Sequence, residues 1–524
     1  MKKKIVCASC VGAMGLLLLT GGLLVVIFFS DLVTKVIHRE LAFRNGSESF
    51  ENWRAPPVEP VNSVYFFNVT NGEAVMANGS MPILQEVGPY VYRQTLEKYV
   101  VSWHNNNTLT YQPGSNMSFA PELSSGSEDD VIVSLNVPMM SAVYRMQHGS
   151  RIMRLALSSM FTKILKVKPL MNYTVRDLIW GYEDPLIKLA KDIMPPGESP
   201  DLEKFGYFVT RLGRQKVNMT VYTGVDNIYK RATYDNVNGA RDIPFWREEG
   251  SCKAFRGTDG SVFSPDFTQS DTVWIYLSDM CRSLPLVFEK EIEREGVSTF
   301  RFTPPESAFG DPDTYPENRC YCLTSPKCPP KGVFNISVCQ FGSPVMLSWP
   351  HFYMGDPRLR EVVKGLSPDK EKHQFYFDIN PKLGVAMQVM ARFQINLATV
   401  GLWDIEPTRY MPNITFPVLW MQTGIQKLPD HLLDVVHQAV HTPEIAEAAM
   451  SYGLFILGAV LIFAMGAYVI KRKLTIWKKT RAVSPTKAEM NGKSETNGHS
   501  TDLPETIVKN GKKVAENGSK DVAV

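Results

Sequence analysis

Two long runs without a charged side chain, one near each end, constrain this chain more than any other feature. Residues 5–29 (IVCASCVGAMGLLLLTGGLLVVIFF) form a run of 25, and residues 450–470 (MSYGLFILGAVLIFAMGAYVI) a run of 21. A helix of about 20 apolar residues crosses the hydrocarbon core of a bilayer, so each run is long enough to span it. Lys2, Lys3 and Lys4 precede the first run, and Lys471, Arg472 and Lys473 follow the second. Short basic flanks stay in the cytosol. The expected organisation is therefore a cytoplasmic N-terminus (1–4), a first span (5–29), an extracellular or lumenal domain (30–449), a second span (450–470) and a cytoplasmic tail (471–524). A cleaved signal peptide is the alternative for the first run. The run exceeds the usual 7–15-residue apolar region, and Phe28, Phe29, Ser30 and Asp31 offer no small-residue cleavage site.

Charge follows the same division. The 56 basic and 53 acidic residues give a net charge of only +3, yet the segments ahead of and behind the two spans are basic and the loop is acidic. The loop carries sequons at Asn45, Asn68, Asn78, Asn106, Asn116, Asn172, Asn218, Asn335 and Asn413. These are the expected N-glycosylation sites. Asn517, in the tail, should stay bare. Six of the 8 cysteines (Cys252, Cys281, Cys320, Cys322, Cys328 and Cys339) fall in the loop. An even number in an oxidising compartment argues for three disulfides, whose pairing spacing alone leaves open. Zinc bound across Cys322 and Cys328 is the rarer alternative. Cys7 and Cys10 lie at the inner end of the first span, where thiols are often palmitoylated; two small buried membrane residues are an equal alternative.

Within the loop, VNSVYFFNVT (61–70), GPYVYR (88–93), DTVWIYL (271–277) and FQINLATV (393–400) combine β-branched and aromatic residues between turn signals. They predict one large antiparallel sheet or barrel. Residues 137–193 read as a helical interruption. RIMRLALSSMFTKILK (151–166) repeats apolar residues near the helical period, and Thr174 with Asp177 makes an N-cap pattern for a helix over 174–193. Residues 131–176 contain Arg145, Arg151, Arg154, Lys163, Lys166, Lys168 and Arg176 but no acidic residue. Such a patch in an acidic loop can steer anionic particles or head groups. Alternatively, its acidic partners lie elsewhere in the fold.

Catalytic patterns are absent. There is no G-x-S-x-G elbow, H-E-x-x-H helix or glycine-rich phosphate cradle. His437 and His441 are spaced for a metal on one helix face, but a juxtamembrane helix is the better reading. GSEDD (126–130) and GTDG (257–260) lack the ligand spacing of a calcium loop. The expectation is a protein without a catalytic site, metal or cofactor and without a nucleic-acid partner.

Eight motifs occur in order: EVGPYVYR (86–93), WGYEDPL (180–186), RGTDGSVFSP (256–265), SDMCRS (278–283), CYC with KCPPKG (320–332), SWPHFY (348–353), VKGLSP (363–368) and FDINP (377–381). Together with both spans they resemble the class B scavenger receptor family over about residues 4–472, with CPPKG nearest its invertebrate members. That family includes fatty-acid translocase, the high-density-lipoprotein receptor, lysosomal integral membrane proteins, croquemort and sensory neuron membrane proteins. The resemblance implies a mainly β fold with α: an antiparallel β-barrel-like ectodomain, an apical helical bundle and an internal hydrophobic tunnel. It implies the pairs Cys252–Cys320, Cys281–Cys339 and Cys322–Cys328. It also implies a basic apex docking lipoproteins or anionic lipid, which falls on the patch of Arg145, Arg151, Arg154, Lys163, Lys166 and Lys168. Ile164 stands at the spacing of the family's gating lysine, so the patch carries over and no single lysine does. Fatty acids, sterols or other hydrophobic ligands would then pass through the tunnel to the membrane. Recognition of apoptotic cells or microbes is the alternative function, and a lysosomal membrane receptor is another. The tail has neither a Leu-Leu pair nor a tyrosine, which favours the cell membrane. Its composition is that of a disordered segment. Its end, DVAV (521–524), could add as a strand to a PDZ-domain adaptor. A homo-oligomer is compatible with all of these readings.

Overall fold

A computed structural model describes residues 2–193, 203–246, 252–323, 328–425 and 427–481. The described chain divides into two units, one of residues 18–456 and one built from the outer ends of the two terminal helices. The first apolar run lies in helix Lys2–Leu41 and the second in helix Asp430–Arg481, each long and apolar enough to cross a membrane. In the smaller unit Gly12 and Gly15 face Met465 and Ile462, and a methyl group at either glycine would collide with its neighbour.

In the larger unit, 14 strands among the described residues form one sheet. At its centre, strand Val61–Val69 pairs antiparallel with Leu84–His104 on one side and Thr415–Ile425 on the other. The order continues through Val385–Ala398, Tyr376–Asn380, Val297–Thr303 and Arg282–Arg294 to Val273–Leu277. The other direction runs through Thr108–Phe119 and Met219–Tyr222 to Tyr234–Val237. The two end strands meet through the RGTDG segment. The Gly257 carbonyl accepts from the Tyr234 amide at 3.1 Å, while Thr258 bridges to Ile275. Gly257 has φ +79°, and a Cβ there would overlap the Trp274 carbonyl, so glycine is required at this junction. Asp378, fully buried in the sheet, is held by Arg301 at 2.7 Å and Arg294 at 2.8 Å.

The expected helical stretch is more broken than its sequence suggests. Asn136 caps helix Val137–Met146 and Ser150 caps helix Arg151–Ser159, which continues as a π-helical turn over Met160–Leu165. Strand Leu170–Thr174 then intervenes and pairs with Val131–Leu135. The helix expected over 174–193 is two helices. Thr174 and Asp177 form a full capping box for Val175–Trp180, which ends at Gly181 with φ +94°. Pro185 opens the second, Pro185–Ile193, as its fixed φ allows at a first helical position.

The cysteines pair as Cys252–Cys320, Cys281–Cys339 and Cys322–Cys328. Cys10 is free and exposed. Cys7 lies outside the residues whose side chains are described, as do Asn517 and the 521–524 terminus.

Candidate functional site

A cavity of about 1510 Å³ lies within the larger unit. Its wall includes Val137, Ala142, Met153, Leu157 and Met160 from the helical insertion. It also includes Phe375, Phe377, Val389, Ala391 and Phe393 from the sheet, and Val36, Leu41, Leu432 and Val436 from the loop-side portions of the two terminal helices. Strand alternation produces this wall. On Val385–Ala398 the cavity-facing positions Val389, Ala391, Phe393 and Ile395 are apolar, while the alternate positions Arg392 and Gln394 are buried on the other face of the sheet.

Few charged groups interrupt the apolar wall. Lys98 Nζ donates to the Trp53 carbonyl at 2.9 Å, lies 3.2 Å from Asp259 Oδ2 and stands 4.7 Å over the Trp53 ring. Asp259 Oδ1 accepts from the Ser261 amide at 3.0 Å and hydroxyl at 2.5 Å. Burial alone would raise the Asp259 carboxyl. The Lys98 charge and the Ser261 bonds outweigh it and hold the group below its usual range. Arg231, fully buried, donates to the carbonyls of Phe263 at 2.6 Å, Leu383 at 2.9 Å and Leu41 at 3.3 Å. Burial pushes its guanidinium down to about 10, so it remains charged at neutral pH. Arg211 and Asp279, also in the cavity wall, form a 2.6 Å ion pair.

The expected basic face is smaller in the folded protein than in the sequence. Arg154 Nε lies 2.8 Å from Asp404 Oδ2, and the Asp404 side chain is 1% exposed. Arg176 pairs with Glu128 at 3.0 Å and Asp129 at 3.3 Å. Arg145 donates to the Phe341 carbonyl. The acidic partners missing from residues 131–176 thus arrive partly from distant segments, and Arg154 is spent on one of them. Arg151 instead stacks 4.9 Å over Trp403, a ring that is 60% exposed. Lys163, Lys166 and Lys168 are exposed and have no acidic partner among the described residues. Ile152 and Ile164, next to these cations in the chain, are 80% and 74% exposed. The remaining surface is basic and apolar together.

Other candidates resolve into structural roles. Glu128 accepts from Trp180 Nε1 at 2.5 Å, and Asp130 accepts from the Tyr90 hydroxyl at 3.0 Å, so GSEDD is a packing motif. His437 and His441 reach the carbonyls of Glu295 and Gly296 at 2.7 and 3.2 Å. Among the sequons, Asn45, Asn78, Asn106, Asn116, Asn172, Asn218 and Asn413 are exposed and Asn68 is half-buried. Asn335 is only 8% exposed on strand Val333–Asn335, which does not suit a glycan.

Sequence reasoning did not single out Lys98. The signal was present: Lys98 has the same strand parity as Tyr90 and Tyr92, so it points inward.

The CD36 family model matches residues 13–469. Scavenger receptor class B member 1 of Rattus norvegicus is 31% identical over 488 residues, covering 93% of this chain and 94% of the relative. Lysosome membrane protein 2 of Rattus norvegicus is 31% identical over 457 residues, covering 86% and 93%. Lysosome membrane protein 2 of Homo sapiens is 30% identical over the same length, with the same coverage.

Proposed function

This chain belongs to the CD36 family, and from that premise we propose that it is a cell-membrane scavenger receptor that also conducts lipid. A lipoprotein or another anionic lipid particle docks on Arg151, Lys163, Lys166 and Lys168. Hydrophobic lipid then enters the cavity and leaves beside the membrane. The observation that carries this reading is the cavity itself, whose apolar wall includes residues from the helical insertion and from both terminal helices. Docking would combine charge attraction with burial of Ile152, Ile164 and Trp403. Moving an acyl chain between apolar surroundings costs little, so no energy source is required.

Uptake of lipoprotein carrying separate lipid and protein labels tests the proposal in cells expressing the chain. Lipid entering ahead of protein supports a conduit. Simultaneous entry of both labels refutes it and supports an endocytic recognition receptor.

The similarity to lysosome membrane protein 2 favours a second reading, a lysosomal membrane receptor. Steady-state colocalisation of the full chain with a lysosomal marker would select it over the cell membrane.

A further inference from the structure

The apolar cavity wall carries a polar cluster around Lys98 and Asp259 whose groups have hydrogen-bonding capacity to spare. Lys98 has three N–H donors; the Trp53 carbonyl and Asp259 Oδ2 use two. Among the described residues Asp259 Oδ2 accepts only from Lys98, and an ionised carboxylate oxygen has a second lone pair. Asp259 sits deep in the molecule, yet its side chain is 23% exposed. Since Asp259 lines the cavity, that exposed surface faces the cavity. Tyr111 and Tyr234 also line the cavity, their hydroxyls 3.5 Å apart. Burial first, and then neighbours that include the Asp259 charge, push both phenols well above their usual range, so both remain neutral. The buried indole N–H of Trp53 has no acceptor among the described residues.

We propose that Lys98, Asp259 and the phenols of Tyr111 and Tyr234 form a hydroxyl-reading subsite. It selects an uncharged lipid alcohol over the fatty acid and the ether of the same chain. This rests on the lipid-conduit reading and names the lipid class that the cavity prefers. The cluster is formally neutral, because Asp259 balances Lys98. A lipid hydroxyl would donate to Asp259 Oδ2 and accept the third N–H of Lys98. A lipid carboxylate would meet the Asp259 charge, while the Lys98 charge is already engaged by Asp259. An ether can accept from Lys98 but offers Asp259 nothing. A site built to hydrogen-bond a hydroxyl discriminates against analogues that lack one, because its buried polar groups are then left unpaired.

The experiment measures binding of radiolabelled oleyl alcohol, oleic acid and oleyl methyl ether to the purified full-length protein in detergent at neutral pH. Three proteins are compared: wild type, the Asp259→Asn variant, and a double variant with Lys98→Met and Asp259→Leu. Wild type should bind the alcohol on the order of ten-fold more tightly than either analogue. Asp259→Asn leaves Lys98 uncompensated, so the order should reverse in favour of the acid. The double variant replaces the pair with apolar groups, the larger leucine side chain at position 259 extending into the cavity, a change that buried ion pairs often tolerate, and should bind all three alike. Should Asp259→Asn not fold, the double variant still decides the question. Equal binding of the three lipids by wild type, or a preference for the alcohol that survives the double substitution, overturns the subsite. If none of the three lipids binds wild type, the conduit reading fails as well.

Discussion

Acidification should weaken this fold through one buried histidine. His373 is 4% exposed, and its ring stacks on His351 with centroids 4.4 Å apart. Its Nδ1 accepts from the Asp369 amide at 2.8 Å. His351 Nδ1 accepts from the Ser367 amide at 3.0 Å, which leaves Nε2–H to donate to Glu86 at 2.5 Å; Trp420 Nε1 donates to the same oxygen at 2.7 Å. Burial lowers the His373 pKa from 6.5 to about 4, with His351 and Arg392 adding to the fall and Glu86 and Asp369 opposing it. The folded value lies below the unfolded one. Stability is therefore complete above pH 6.5, drains as pH falls toward 4, and is then flat. A difference of roughly 2.5 units corresponds to about 3 kcal/mol. His373→Phe keeps a flat ring on the stack and removes the titration. Thermal unfolding of the full-length protein in detergent, followed by tryptophan fluorescence between pH 7.5 and 4, reads the effect. Between pH 6.5 and 4 wild type should lose about 3 kcal/mol more than the variant, or roughly 3–4 °C of midpoint for a domain this large. The variant should start lower at pH 7.5 by about 1–3 kcal/mol, because the Asp369 amide loses its acceptor. Glu86 titrates in both proteins: burial raises its carboxyl, but the His351 and Trp420 bonds hold it below its usual range. Its contribution begins to be lost below about pH 4.5, in both proteins. Equal pH slopes in the two proteins would refute the argument.

Arg154→Ala should destabilise the protein by about 3–5 kcal/mol in a thermal melt, since it strands the buried Asp404 carboxylate. Lys166→Glu, at an exposed cation, should change stability by less than about 0.5 kcal/mol while weakening binding to anionic vesicles in a flotation assay. Ala391→Trp places a large ring in the cavity wall and should suppress uptake of the lipid label while leaving particle binding intact. Replacing Cys281 and Cys339 together by alanine opens a link spanning 58 residues and should cost about 4 kcal/mol of stability, read as a lower thermal midpoint.

Local patterns were readable from the sequence wherever the deciding interactions were local. Charge-free runs flanked by lysines marked the two long helices. Alternation marked Val61–Val69 and Val273–Leu277, and the Thr174–Asp177 pair formed the capping box its spacing implied. Strand Leu170–Thr174 escaped notice because its five residues are held by a partner strand on the far side of two helices. The basic run looked uncompensated because the acid that neutralises Arg154 is Asp404, 250 residues away. Lys98 and Asp259 are likewise ordinary in their own segments and become a cavity feature only when the sheet brings them together. The disulfide partners came from family resemblance, because spacing leaves their pairing open.

Selectivity and throughput make opposing demands on such a cavity. A bare apolar wall would pass any hydrophobe with little discrimination, because methylene transfer between apolar phases is nearly neutral. An uncompensated buried cation would hold an anionic lipid tightly and slow its release. Lys98 and Asp259 avoid both extremes through their charge balance. They can offer a ligand about one net hydrogen bond, worth roughly 0.5–1.5 kcal/mol. That is enough to choose among lipids of similar length, yet small enough for thermal release toward the membrane. Arg231 bears a full charge, but three backbone carbonyls occupy it, so it braces the end of the first long helix instead of trapping cargo. Pairing Lys98 with Asp259 and Arg211 with Asp279 in the wall is thus what a passive lipid conduit requires.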